Sequence, residues 1–220
     1  MWHHNLLLLL LLVIQLYFVQ QVTTDTFPNP RVNGYIECGL KSKGYVCDPD
    51  KQLTIQERYR LNNDLLQLSR RTLGGQGANF CTIKGVDATL LITKQGNEQL
   101  ARELNTLWAI DRQCKKSVIL VLSTNDHRLY YAVDEHSPIS VNDFEKAISE
   151  QQQLLNEGKF TMALTTIFSK LGKSIEDKKK GRIKINDIPD QRDTSMRIPQ
   201  VGVLSYLAMI SSIGLYLLAA

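Results

Sequence analysis

The chain has 220 residues, of which 43% are hydrophobic and 22% charged, and its formal net charge is +4. This balance is typical of a packed globular protein and excludes a disordered one, and the charge is too small to indicate a nucleic-acid partner. Without its two apolar ends the chain keeps about 175 residues, enough for one domain of ordinary size and a tail.

The N-terminal residues have the pattern of a signal peptide. Residues 6–19 read LLLLLLLVIQLYFV, which suits the apolar core of a signal peptide and is short for a membrane span of about 20 residues. His3 and His4 precede this run without any Lys or Arg, so an uncleaved signal anchor is the alternative. We predict a signal peptide over residues 1–24, with cleavage near Thr24 and export of the remaining chain.

The C-terminal residues 201–220 contain no charged residue. As a helix rising about 1.5 Å per residue, they would extend about 30 Å, the thickness of a hydrocarbon core. We therefore predict a single-pass segment in contact with the lipid bilayer of the plasma membrane, with the domain outside the cell. A lipid-anchor signal at the cell surface is the alternative, although the polar spacer at residues 196–200 is shorter than the usual run of about 8–12 residues.

Residues 25–53 are predicted to be a lead-in segment that is looped by a disulfide. The four cysteines, Cys38, Cys47, Cys81 and Cys114, suit two disulfides in an extracellular domain. Spacing favours Cys38 with Cys47 as a local loop, which leaves Cys81 with Cys114, although the sequence alone permits three pairings. A zinc site has less support because no C-x-x-C or His-x-His pattern accompanies the cysteines.

Residues 54–172 show the periodicities of a single domain. Thr54 and Glu57 form a capping-box pattern, and Ser140 is an N-cap candidate. Apolar spacing and turn signals then predict the elements in order. They are a helix over 54–71, a strand over 86–93, a helix over 97–109, strands over 118–123 and 128–133, a helix from Ser140 through Leu155, and a helix from Phe160 to Leu171.

This order predicts an α/β or α+β sandwich, in which a small mixed sheet is flanked by about four helices. The short turn at Asn125-Asp126 makes the last two strands an antiparallel pair. Residues 173–200 are predicted to be a basic and polar stalk, because residues 173–184 hold six Lys or Arg against two acids. Contact of this run with a membrane surface or a partner is the alternative.

Several blocks of the sequence carry a family likeness. They read PNPRVNGYIECG, GYVCDPDKQLTIQER, KGVDATLLIT, ARELNTLWAIDRQC, SVILVLSTNDHRLYYAV and LLNEGKFTMALTTIFSKLG. In content and order they resemble the nematode modulator of levamisole receptor family, whose extracellular module is a TPM domain. The resemblance implies an auxiliary protein that associates with levamisole-type nicotinic acetylcholine receptor subunits, or with a related ligand-gated channel, and promotes gating without conducting ions.

Distant relatives with the same domain supply a rival function, since they are linked to acid phosphatase activity and to cation binding. The chain departs from their pattern at Lys115–Ser117 and at Asp134–Pro138, two loops that we expect at the sheet end where an open α/β fold places a ligand. The acids expected near strand ends are Asp111, Asp126, Asp134 and Glu135. None has a spacing that demands a metal, and no hydrolase motif is present, so we predict no catalytic residue, metal or cofactor.

A binding protein acts through its surface, and the residue types enriched at interfaces supply the candidates. Tyr130, Tyr131, Arg128 and Arg102 are the residues that we select. Because side chains alternate along a strand, Tyr130 and Tyr131 are expected on opposite faces of the sheet, so that only one of the two is exposed.

Overall fold

The structure, a computed structural model, describes residues 27–75, 77 and 79–186, with side chains up to residue 181. The predicted signal peptide 1–24, the end of the predicted stalk and the predicted membrane segment 201–220 lie outside these residues. Within the described ranges, no helix has both the length and the apolar composition needed to cross a membrane. The chain divides into two units after Arg182, and the sheet and the core that packs on it belong to the first.

The fold is built on a four-stranded mixed sheet in the order β1-β2-β3-β4. The strands β1 and β2 are parallel, β2 and β3 are parallel, and β3 and β4 form the predicted antiparallel hairpin. Their bounds are β1 Val46–Cys47, β2 Asp87–Thr93, β3 Ser117–Ser123 and β4 Arg128–Val133. The small mixed sheet expected from the sequence is therefore confirmed.

Six α-helices accompany the sheet in the described part of the chain. They are α1 Ile55–Arg71, α2 Phe80–Ile83, α3 Glu98–Trp108, α4 Val141–Ser149, α5 Gln152–Asn156 and α6 Phe160–Asn186. The predicted α/β class, a small mixed sheet flanked by helices, is confirmed, with six helices where about four were expected. Two of the six helices, α2 and α5, are short segments that the sequence analysis does not predict as separate helices.

The core lies in two layers, one on each face of the sheet. In β3, Leu120 and Leu122 point into a cluster with residues of α1, α4 and α6, such as Leu65, Phe144 and Phe168. Ile119 and Val121 point into a second cluster with α3 and with the disulfide of the lead-in. Every residue of β3 is buried, which explains why its sequence is apolar without interruption between the two terminal serines.

The predicted helix starts are confirmed in atomic detail. Thr54 Oγ1 accepts from the Glu57 amide at 3.3 Å, and the Glu57 carboxylate accepts from the Thr54 amide at 2.8 Å. Ser140 and Asp143 form the same reciprocal arrangement at the start of α4. These contacts satisfy amides that the first helical turn leaves without partners.

The structure corrects the predicted helix that runs from Ser140 through Leu155. The chain leaves helical geometry at Gln151 and starts again, so that α4 and α5 are separate. The break keeps Leu155 in the core, whereas Val141, which is expected on the same apolar side, is 50% exposed. A break of this kind leaves the apolar spacing nearly intact, which explains why periodicity alone does not reveal it.

Two further corrections concern the ends of the domain. The lead-in contributes β1, a strand of two residues that is too short for a period to be recognised. The last helix continues beyond the predicted end at Leu171 to Asn186. The first proline after this helix is Pro189, and Ile175 remains buried, so neither a helix breaker nor the loss of core contacts ends the helix at the predicted position.

Candidate interaction surface

Asp111 lies in the loop before β3 and is only 5% exposed. Its carboxylate accepts from the backbone amides of Cys114 at 3.2 Å and Lys116 at 3.1 Å, and it pairs with Lys84 Nζ at 2.9 Å. Burial acts to raise the pKa of Asp111, but the bonds from Lys84 and the two amides outweigh it and the pKa is lowered. Asp111 is thus an ionised structural acceptor that holds its own loop.

A network of charged groups surrounds Asp111 at the amino ends of β2 and β3. Lys84 also pairs with Asp87 at 3.1 Å, and Arg31 pairs with the other oxygen of Asp87 at 2.7 Å. The Lys116 ammonium donates to the Lys84 carbonyl at 2.7 Å, and burial lowers the pKa of Lys116. These pairs tie the lead-in, β2 and the β3 loop together.

Asp134 also performs a structural role. Its carboxylate accepts from Ser117 Oγ at 2.6 Å and from Asn105 Nδ2 at 2.6 Å. Ser117 is 1% exposed, and its Oγ also lies 2.7 Å from Asn105 Oδ1, so that two acceptor oxygens share the single hydroxyl proton. The triangle fastens α3 to the adjoining ends of β3 and β4 and leaves the serine hydroxyl inaccessible to a substrate.

The four acids selected from the sequence therefore do not form one site. Asp111, Asp134 and the exposed Glu135 lie at the amino end of the parallel strands, whereas Asp126 lies in the β3–β4 turn at the opposite end. The loops Lys115–Ser117 and Asp134–Pro138 also lie at the amino end, so their expected place at the ligand-binding carboxyl end is wrong. In the described residues, no group of three or more His, Cys, Asp or Glu is arranged to hold a metal ion.

Two disulfides link the described chain, with the pairing that the cysteine spacing favours. Cys38 and Cys47 join with their Cα atoms 4.2 Å apart, and this bridge lies in the core beside α3. Cys81 and Cys114 join at 5.2 Å and connect α2 with the loop before β3. All four cysteines are bonded, which is typical of an oxidising compartment.

The surface candidates Arg102, Tyr130 and Tyr131 meet in one groove of about 610 Å³ along the outer side of β4. We call this the β4 edge groove. It is flanked by α3, which carries Glu98 and Arg102, and by α4, which carries Glu145. Arg128 lines a neighbouring groove at the start of β4. Three of the four candidates are thus brought together, and the fourth is the first residue of β4.

The two tyrosines lie on opposite faces of the sheet as predicted, but both are half-buried, so the expectation of a single exposed ring is wrong. Tyr131 stacks on Phe144 with ring centroids 4.9 Å apart, and Tyr130 packs against the α3 cluster. Burial raises the pKa of Tyr131, and the nearby carboxylates of Glu145 and Glu98 raise it further.

The backbone of β4 is a feature that the sequence analysis does not select. In an antiparallel pair, the backbone N–H and C=O groups of alternate residues point toward the partner strand. The Asp134 amide donates to the Ser117 carbonyl at 3.0 Å, which identifies Asp134 as one of the residues whose backbone points toward β3. The backbone groups of Leu129, Tyr131 and Val133 therefore point away from β3, along the open edge of the sheet. The sequence holds one signal of this edge, since β4 is followed by helices and by no further predicted strand.

The fold and this surface define the chain as a disulfide-linked α/β domain with an open sheet edge. Residues 22–127 match the family model described as modulator of levamisole receptor-1. This match covers 106 of the 220 residues and supports the family resemblance that the sequence blocks carry.

The comparisons with solved structures and with curated proteins give no further support for the family. The N-terminal domain of the cg2496 protein from Corynebacterium glutamicum, solved by NMR, is similar at 8% sequence identity with a TM-score of 0.42. The match covers 58% of this chain and 76% of the bacterial domain. No curated protein matches the chain.

Proposed function

We propose that the protein is a membrane-anchored extracellular auxiliary protein that associates with a levamisole-type nicotinic acetylcholine receptor and modulates its gating. In this proposal, residues 1–24 are a signal peptide and 25–172 contain the lead-in and the folded domain. Residues 173–200 lead from the domain to an anchor at 201–220. The match of residues 22–127 to a family described as a receptor modulator carries the proposal.

One observation and one physical argument support it. Both disulfides suit an extracellular domain, because disulfides persist in an oxidising environment. An anchor would confine the domain and a channel to the same membrane, which raises the effective concentration of each for the other. A contact of weak intrinsic affinity is then occupied.

A phosphatase or a cation-binding domain has less support from the described residues. Asp111 and Asp134 use their carboxylates for internal hydrogen bonds, and Asp126 lies at the other end of the sheet. A hydrolase needs an activated nucleophile or closely held metal ligands, and these acids supply neither arrangement. No observation on the described chain favours this second function.

The test is co-expression of the full chain with levamisole-type receptor subunits in oocytes. We expect a larger agonist-evoked current and recovery of the receptor subunits with the affinity-tagged chain. An unchanged current together with no co-purification would contradict the proposed partner. A phosphate-release assay on the same purified chain tests the rival function directly.

The anchor has a separate test. Deletion of residues 201–220 should release the domain into the medium and remove its effect on the current, while the domain keeps its fold. Treatment of intact cells with a phosphatidylinositol-specific phospholipase distinguishes the two anchors, since it releases a lipid-anchored chain and leaves a membrane-spanning chain in place. A deleted chain that stays on the cell surface would contradict both forms of anchoring.

A further inference from the structure

We propose that β4 pairs antiparallel with β4 of a second copy of this chain, which joins two four-stranded sheets into one of eight strands. The inference assigns to a second copy the surface whose residues were selected as candidates for partner binding. It stands or fails independently of the receptor function, because self-association is measured without a receptor.

The first observation is that, within the described residues, no backbone hydrogen bond outside the sheet is made by Leu129, Tyr131 or Val133 of β4. Edge strands of soluble proteins are commonly blunted by charged side chains, especially lysine, by proline, by a bulge or by a covering helix or loop. The sequence of β4, RLYYAV, has a single charge, at Arg128, and no proline, and it pairs with β3 without a bulge. At the other edge of the sheet, by contrast, the amides of Gly44 and Tyr45 donate to Pro30 O at 3.0 Å and to Asn62 Oδ1 at 2.7 Å.

The outward backbone groups restrict the register of a symmetric pair. Only Leu129, Tyr131 and Val133 present N–H and C=O groups at the edge, so these residues must pair with one another across a two-fold axis. The register centred on Tyr131 uses all three, because Leu129 then lies opposite Val133 of the second copy and Tyr131 opposite itself.

Side-chain size is complementary in this register. Tyr130 lies opposite Ala132 of the second copy, so a large ring meets a methyl group, and two-fold symmetry repeats the contact. Both residues belong to the face that packs on α3. Helices α3 and α4 border the β4 edge groove, so the pairing would also cover part of Val141, which is 50% exposed.

Charge is complementary as well, and it selects the second copy as the occupant. The register places Arg128 opposite Asp134 of the second copy, one residue from Glu135. In the described part of the chain, Arg128 is exposed and forms no ion pair, and the exposed Glu135 forms none either. An antiparallel pair thus brings the Arg128 guanidinium of each copy to Asp134 and Glu135 of the other, twice in each dimer.

The test uses the full chain, purified in detergent, and the variant Arg128→Glu. Light scattering over a range of protein concentrations measures the dimer, and hydrogen exchange followed by mass spectrometry measures protection of the β4 amides. We expect a dimer whose β4 peptide becomes protected as concentration rises. Arg128→Glu should weaken association at least about tenfold, because the reversed charge faces Asp134 at two symmetric contacts.

Arg60→Glu is the matched control, since Arg60 is also exposed but lies on α1 in the groove between α1 and α6. It should associate as the unmodified chain does. A monomer at all concentrations, a dimer with unchanged exchange at β4, or an undiminished dimer of Arg128→Glu would each overturn the proposal. Protection of β4 only after another protein is added would also overturn it, and would assign the edge to a different strand.

Discussion

At the scale of single residues, the buried charges of this protein organise loops. Asp48, which follows β1 directly, is fully buried and accepts from the amides of Gln52 at 2.8 Å and Leu53 at 2.9 Å. The Asp48 carboxylate also pairs with the Arg58 guanidinium at 3.0 Å, and this guanidinium donates to the Leu53 carbonyl at 2.8 Å. Asp48 therefore sets the turn that leads into α1.

Replacing Asp48 by alanine tests this role. We expect a loss of about 3–5 kcal/mol in the free energy of unfolding, because the change leaves a buried guanidinium without its counter-charge and two amides without an acceptor. Urea unfolding of the full chain at neutral pH measures the loss. Asp50→Ala, at an exposed aspartate two residues away, should stay within about 0.5 kcal/mol of the unmodified protein.

Asp111 gives a prediction in pH. Its folded pKa lies below the ordinary value of about 3.9, so its stabilising effect is complete above about pH 4 and is lost as the pH falls through the folded pKa. Asp111→Asn should cost about 1–3 kcal/mol at pH 7, because an amide oxygen replaces a carboxylate that serves Lys84 and two backbone amides. The difference between the two proteins should narrow steadily below pH 4.

The measurement is urea unfolding of both proteins between pH 3 and pH 7. Asp50→Asn removes a carboxylate from an exposed position and serves as the control, with little effect on stability at pH 7. A difference between Asp111→Asn and the unmodified protein that stays constant with pH would contradict the assignment of Asp111 as an ionised acceptor.

At the scale of elements, the last helix joins the folded domain to the chain that follows. Residues of α6 beyond Leu171 still contact the domain, since Ile175 is 6% exposed and Lys178 pairs with Asp143 of α4 at 3.1 Å. The Asp143 carboxylate also accepts from the Ser140 amide at the start of α4 and from Ser174 Oγ of α6, so α4 and α6 share one carboxylate. The first part of the predicted stalk is thus packed helix.

Ile175→Ala distinguishes a packed helix from a solvated stalk. We expect a loss of about 2–4 kcal/mol in the free energy of unfolding, because the truncation leaves a cavity in the core. Met162→Ala is the control in the same helix, since Met162 is 57% exposed and should change stability by less than about 0.5 kcal/mol. Equal effects of the two substitutions would contradict the packing of Ile175.

The elements that the sequence predicts are those specified by local patterns. The capping box at Thr54 and the apolar run of β3 each lie within a few residues, so period and cap chemistry suffice. The strand β1 escapes prediction because its two residues become a strand only through pairing with β2, more than forty positions away. The meeting of Arg102 with Tyr130 in one groove is likewise a product of the α3 and β4 packing, which no local pattern encodes.

At the scale of the whole molecule, the two disulfides constrain different parts of the fold. Cys38–Cys47 closes a loop of nine positions, and Cys81–Cys114 closes one of 33. Chain-entropy arguments assign them roughly 3 and roughly 4 kcal/mol respectively. Since a domain is stable by only about 5–15 kcal/mol, the two bridges supply a large part of the margin, and an oxidising compartment preserves them.

Graded reduction of the full chain should therefore proceed in two stages. Cys38 and Cys47 are fully buried, whereas Cys81 is half-buried, and thiol exchange requires access to a sulfur atom. We expect a mild thiol reductant to open Cys81–Cys114 first and to lower the free energy of unfolding by about 4 kcal/mol. Cys38–Cys47 should open only when the domain unfolds, because its sulfur atoms lie in the core beneath α3.

Alkylation of released thiols followed by peptide mass spectrometry gives the order of opening, and thermal unfolding gives the stability at each stage. The double variant Cys81→Ala with Cys114→Ala should already have the lower stability and should not respond to the mild reductant. Alkylation of Cys38 or Cys47 before Cys81 would contradict the sequence of events. It would also mean that the lead-in and β1 open while the rest of the domain stays folded, so that the first bridge protects a local segment and not the whole molecule.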